Sequence, residues 1–170
     1  MARGDSGGAA AVEHGGAGSL IYLWLSVIVV ALDQLSKAVV EHTLDLFQSV
    51  AVLPLLNITR LHNTGAAFSF LADGSGWQRW FFSGLAIVVS AVLVVWLRRI
   101  DRSSRALGCA VALILGGAVG NLVDRLRLGH VIDFIQAHWS EHYFPAFNVA
   151  DSAITIGAAL LLLDAWLESR

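Results

Sequence analysis

The sequence predicts an all-α integral membrane protein: four transmembrane helices, with a small outer-face β-element in the first outer loop. Three observations carry this. The 170 residues are 56% hydrophobic and 14% charged, where a soluble domain carries about 25% charge, and mean hydropathy is +0.68. The apolar residues are bunched into blocks long enough to cross a bilayer rather than spread over amphipathic faces. Finally, the connector Arg98-Arg99-Ile100-Asp101-Arg102-Ser103-Ser104-Arg105 packs four arginines into eight residues, the mark of a segment retained on the cytoplasmic side.

Each element has its own justification. Residues 1–18 are rich in Gly and Ala without periodicity, and read as a disordered cytoplasmic tail. The remainder, 19–168, reads as one four-helix membrane domain. The first span, about 20–40, has the required length but carries Asp33 and Lys37. The tail before it holds Asp5 and Glu13 against Arg3, and the block is long, so it reads as a retained helix and not a cleaved signal peptide. Spans at about 79–98 and 106–124 rest on Trp80–Leu97 and Ala106–Val123, each 18 residues without a charge. The fourth, about 147–167, carries Asn148 and Asp151 near its start.

Outer loops then fall at 41–78 and 125–146, with the cytoplasmic loop at 98–105 and both termini inside. Arg60, Arg79, Arg125 and Arg127 lie in the outer loops, but more sparsely than the inner cluster. In the first outer loop, Leu56–His62 alternates like a strand, Asn63-Thr64-Gly65 supplies a turn, Ala66–Leu71 is apolar again, and Asp73-Gly74 turns once more. Such a lip suits a peptide added as a strand.

Composition also excludes. A net charge of −2, with no basic stripe, gives no support to a nucleic-acid partner. Cys109 is the only cysteine, so neither an internal disulfide nor a thiolate metal cluster is possible.

Against this apolar background the polar residues stand out. Asp133 and Asp151, 18 positions apart, are read at neighbouring helix ends near the membrane edge. A carboxylate at that depth is costly and marks function by default. Two together can share one proton and activate water. Asp33 and Lys37 are i and i+4 with the acid first, a favourable pair. Their first reading is a staple for two buried charges, the second a contact to substrate or head groups. Asn121 and Asp124 share a helix face with Arg125 adjoining, which fits either groups that orient a neighbouring carboxylate or a helix end with a surface ion pair. Gly108, Ala112, Gly116 and Gly120 recur every fourth residue, a face for close helix approach. His138-Trp139-Ser140-Glu141-His142 fits the H-x-x-E-H pattern of some zinc proteases. It lies in a short outer loop with no evident third ligand, so wet interfacial histidines are preferred and no metal or cofactor is expected.

Five segments in order resemble the motifs of the lipoprotein signal peptidase (signal peptidase II) family. They are Asp33-Gln34-Leu35-Ser36-Lys37, Asn63–Ser69, Gly116–Arg125, Val131-Ile132-Asp133-Phe134 and Phe147–Ser152. The resemblance implies a membrane aspartic endopeptidase of the bacterial cytoplasmic membrane. Its implied activity is removal of signal peptides from diacylglyceryl-modified prolipoproteins, with cleavage before the lipidated cysteine at the outer face. It implies that Asp133 and Asp151 are the catalytic pair. Asp33, Lys37, Asn63, Asn121, Asp124, Arg125 and Asn148 would support the site, with Gly117 and Ala150 of the same motifs. The implied partners are lipid-modified prolipoproteins and membrane phospholipid, the expected state is a monomer, and the groove beside the Gly108–Gly120 face is a candidate seat for part of the substrate lipid. Two rival readings are a proton-coupled transporter, which would hold its acids near the midplane on broken helices in repeats, and a non-enzymatic assembly factor, which leaves the carboxylate pair unexplained.

Overall fold

A computed structural model describes residues 19–65, 76–101 and 103–170. The N-terminal tail, the apolar run Ala66–Leu71 and the Asp73-Gly74 turn lie outside the described residues. Four helices are long and apolar enough to cross a membrane: α1 (Leu23–Thr43), α2 (Trp77–Leu97), α3 (Arg105–Leu128) and α4 (Val149–Glu168). A 3-10 turn, Ser19–Tyr22, precedes α1. At 21 residues α1 and α2 are each about 31 Å long, matching the hydrocarbon thickness.

The helices are apolar outward and partly polar inward, the reverse of a soluble bundle. On α1 the buried positions are Ser26, Val29, Asp33, Lys37 and Val40, the spacing of one helical face. Trp24, Ile28, Leu32, Leu35 and Val39 on the same helix are exposed, as lipid-facing residues are. Helix α3 is the central member: half of its apolar window is buried, against 17% for α2 and α4, and the other three helices all pack on it.

The small-residue face of α3 explains how they get so close. A methyl at Gly117 would overlap the carbonyl oxygen of Ala150, and one at Gly120 would meet an Asp33 oxygen at 2.8 Å. The face expected to let a helix approach closely is thus occupied by α1 and α4. Without strong hydrophobic drive between helices in lipid, such backbone contact is a main source of association. At the opposite end from the site, Leu93, Leu97 and Ile100 pack on Val111 and Leu115.

The β-element is larger than the first outer loop alone. Strands β1 (Ser49–Leu53) and β2 (Leu56–Asn63) are joined by β3 (Val131–Trp139) and β4 (His142–Tyr143) from the second loop. All pair antiparallel in the order β1-β2-β3-β4. Gly129, at φ +85°, caps α3 in the left-handed conformation and donates to the Arg125 carbonyl, which frees the chain to turn into β3 within two residues. Along β2–β3, Leu61 lies opposite Asp133 and Asn63 opposite Val131.

Candidate active site

Local chain geometry brings Asp133 and Asp151 together. Asp133 is not at a helix end: it sits on β3. Val131-Ile132 and Phe134-Ile135 are apolar without alternation because the first part of β3 is buried on both faces. The strand then binds the segment before α4: Phe134 and Ile135 N–H donate to the Phe147 carbonyl at 3.0 and 2.8 Å, and Phe147 N–H returns a bond to Ile135. That pairing sets Asn148, the next residue, beside Asp133. Asn148 is also the N-cap of α4 and forms a capping box with Asp151: its Oδ1 accepts from Asp151 N–H at 2.9 Å, while an Asp151 oxygen accepts from Asn148 N–H at 3.2 Å. Its Nδ2 donates to Asp133 at 2.8 Å. One fully buried asparagine thus ties the two carboxyls to a common frame.

Each carboxyl is held at both oxygens. Asp133 accepts from Asn148 at one and from Asn63 Nδ2 at the other, also at 2.8 Å. Asp151 accepts from Asn121 Nδ2 at 2.7 Å and from the Asn148 backbone. The amides cannot turn over freely. Asn63 Oδ1 accepts from Gly65 N–H at 2.8 Å, and Asn121 Oδ1 accepts from Lys37 at 3.0 Å and from Asn148 at 3.2 Å. Because an ammonium only donates, Lys37 dictates which end of Asn121 faces Asp151.

The Asp33–Lys37 pair is real but belongs to a larger cluster. Lys37 Nζ lies 2.7 Å from Asp33 and 2.8 Å from Asp124, so Asp124 pairs across to α1 and not with Arg125. The side chains of Asp33, Lys37 and Asp124 are 0%, 2% and 3% exposed. Asp33 accepts at its other oxygen from Ala150 N–H at 2.9 Å, where the amino-terminal end of α4 carries partial positive charge. Asp124 accepts from Ile132 N–H at 3.1 Å and from Gln34 at 2.7 Å. The cluster thereby fastens α1, α3, the start of β3 and the start of α4 to one another. Gln34 was quoted in a motif without a role; a second polar group beside Asp33 in an apolar helix was the available signal.

Arg125 donates to the Asn121 carbonyl at 3.4 Å, lies over the Phe82 ring, and is within electrostatic range of Asp151, Asp133 and Asp124. In the outer-loop sheet, burial pushes the Asp133 carboxyl up to about 6, with the charge of Asp151 adding to the rise and the Asn63 and Asn148 hydrogen bonds opposing it. At 3% exposure it is a carboxyl able to hold a proton near neutrality, the property asked of an acid–base group.

Two clefts flank the pair. One of about 330 Å³ lies toward the sheet, lined by Phe47, Leu61, Asn63, Thr64, Asp133 and Pro145. The other, about 510 Å³ and almost wholly apolar, runs down α4 from Asp151 past Phe144, Phe147 and Ile156. Ser152 and Thr155 line it too, but their hydroxyls are returned to their own helix backbone. A larger groove between Val27, Ala31, Ala91 and Val119 is lined by no titratable group and is not where acid–base chemistry can occur.

Within the short outer loop the H-x-x-E-H segment forms a hairpin: His138 lies opposite Tyr143 and Trp139 opposite His142. His138 stacks on Tyr143 with ring centroids 5.2 Å apart. Among the described residues no group of three His, Cys, Asp or Glu side chains is placed to hold a metal ion.

A four-helix membrane bundle that carries two hydrogen-bonded carboxyls at one end, Asp133 buried and Asp151 half-buried, has the features expected of a membrane aspartic peptidase. Residues 25–167 match the family described as signal peptidase (SPase) II. The lipoprotein signal peptidase of Pseudomonas syringae pv. tomato is 59% identical over 155 residues, covering 90% of each chain. That of Pseudomonas aeruginosa (strain UCBPP-PA14) is 59% identical, covering 90% of this chain and 92% of the relative. A bacterial membrane enzyme solved by the in meso method at 2.3 Å resolution superposes with a TM-score of 0.78 at 32% identity, over 88% of this chain and 90% of that one. The chain belongs to the signal peptidase II family.

Proposed function

We propose that this protein removes the signal peptide from diacylglyceryl-modified prolipoproteins by cleaving before the lipidated cysteine, with Asp133 and Asp151 activating water. The observation that carries the reading is Asn148, whose side chain and backbone hold both carboxyls in one buried frame. Two nearby carboxyls cannot both ionise cheaply, so the pair holds one proton. The charged member takes a proton from water as it attacks; the neutral member donates to the scissile carbonyl oxygen. Collapse of the tetrahedral intermediate returns a proton to the leaving amine, without a covalent acyl-enzyme. The proton belongs to the pair, and neither role is assigned to one residue.

Supporting groups divide by what they touch. Asn63, Asn121 and Asn148 aim hydrogen bonds at the carboxyls, Arg125 contributes positive charge nearby, and Asp33, Lys37 and Asp124 hold the helices that carry them. Gly117 and Ala150 are where α4 meets α3 closely enough for Asn121 to reach Asp151. The protein acts as a monomer in a bacterial cytoplasmic membrane, with both termini inside and the pair facing outward among phospholipid head groups. The arginine cluster at 98–105 supports that orientation.

The test is cleavage of a diacylglyceryl-modified prolipoprotein peptide by purified protein. Asp133→Asn and Asp151→Asn should remain folded and membrane-inserted while losing at least about 10³-fold in kcat, since an amide can neither accept water's proton nor donate in its place. Near-normal turnover by either variant would end the dyad reading.

A further inference from the structure

Phe82 lies near the start of α2, outside the five motif segments, and no step above uses it. Two groups that reach the carboxyl pair meet on its ring. The Arg125 guanidinium carbon lies 5.3 Å from the ring centroid, over the face. Gly65, at φ +93°, lies so close that a methyl there would overlap the ring carbons. Phe81 braces the ring edge-on, 5.2 Å away at 78°.

Both contacts lead directly to the site. Gly65 N–H closes the turn on Asn63 Oδ1 at 2.8 Å, which leaves Asn63 Nδ2 to donate to Asp133 at 2.8 Å. Arg125 stands in electrostatic range of both Asp133 and Asp151. A cation on one side and a turn packed to contact on the other restrict what can fill this place. Leucine has comparable apolar bulk but no π face to hold a guanidinium.

We propose that Phe82 is a positioning residue for peptide cleavage, its ring seating Arg125 and the Asn63–Gly65 turn together so that both address the carboxyl pair. This rests on the reading that Asp133 and Asp151 are catalytic. Releasing the ring loosens a hydrogen bond and a positive charge that both favour ionised carboxyls. The acidic limb of the kcat/KM profile, which reports the free enzyme, then moves to higher pH.

The experiment compares Phe82→Leu and Phe82→Tyr in the full-length purified protein, on one lipidated prolipoprotein peptide across pH. Phe82→Leu is expected to lower kcat about tenfold, a small-misplacement effect, to leave KM within about twofold, and to shift the acidic limb upward. Phe82→Tyr keeps the face and restores both. In an Asn63→Ala background the limb is already shifted, and Phe82→Leu moves it less than in the wild type. If Phe82→Leu does not fold, Phe82→Met carries the same readouts. The proposal is overturned by an unmoved limb, by equal impairment of the Leu and Tyr variants, or by failure of both Leu and Met variants to fold; each makes Phe82 packing alone. Asp133→Asn run alongside separates the two ideas: if it cleaves normally the dyad has failed, whereas if it is dead and Phe82→Leu is normal, only this proposal has.

Discussion

Replacing Lys37 by methionine should be the most damaging single change in the buried cluster. The ammonium lies 2.7 Å from Asp33 and 2.8 Å from Asp124, and donates to Asn121 at 3.0 Å. Methionine matches its length but strands two carboxylates, both at most 3% exposed. Breaking one buried pair by removing a partner costs about 3–5 kcal/mol. Here each carboxylate keeps other donors: Ala150 N–H for Asp33, and Gln34 and Ile132 N–H for Asp124. Those hold the expected loss near the range for one pair, about 3–5 kcal/mol, instead of doubling it.

Asp33→Asn should cost less, because Lys37 still has Asp124. Replacing Asp33, Lys37 and Asp124 together by neutral residues should recover most of the stability lost in Lys37→Met, since no charge is then left unpaired. The assay is reversible unfolding of each variant in one detergent or bilayer, with activity measured in parallel. Lys37→Met should also lose activity out of proportion to stability, because nothing then obliges Asn121 to present its amide N–H to Asp151. Additive single effects, or a Lys37→Met variant no less stable than Asp33→Asn, would refute the cluster as the source of the cost.

Three further outcomes are expected. With Asp133 raised to about 6, the carboxyl pair keeps its proton in the folded protein to about that pH, while the unfolded chain releases it near the ordinary 3.8. The folded state therefore binds more protons between those values, and stability falls as pH rises through them. That rise sets a ceiling of about 3 kcal/mol on what Asp133→Asn recovers above pH 6. Donor facing donor at one of its two asparagine contacts takes part of this back. Thermal unfolding from pH 4 to 8 checks it, and a gap that does not widen with pH refutes it. Activity should survive strong chelators, and His138→Ala with His142→Ala should retain most turnover; loss on chelation with recovery on added zinc would restore the metal reading. Removing the diacylglyceryl group should lower kcat/KM, because each buried methylene contributes about 0.8 kcal/mol toward holding the scissile bond at this depth; equal values for matched peptides would point to a general membrane-surface protease.

The four helices were legible because a bilayer demands long apolar stretches, and composition in one dimension is enough to satisfy that demand. The same logic exposed Asp33, Lys37, Asp124, Asp133 and Asp151: in an apolar background a charge has few places to hide and needs a reason to be there. The placement of Asp133 and Asp151 suggested a pair sharing one proton, and resemblance to a family implied that this pair is the catalytic one. Neither source revealed that Asp124 joins Lys37, that Asp133 rides a strand, or that Asn148 grips both carboxyls. Those depend on β3 pairing with β2, which lets Asn63 reach Asp133 across 70 residues of sequence, and on glycines that let α4 lie against α3. Phe82 was invisible for a related reason, since a phenylalanine in an apolar span carries no polar signal until Arg125 and Gly65 are seen against its ring. Local sequence decides which segments leave water, whereas the directions of hydrogen bonds among buried groups are decided only when separate segments meet.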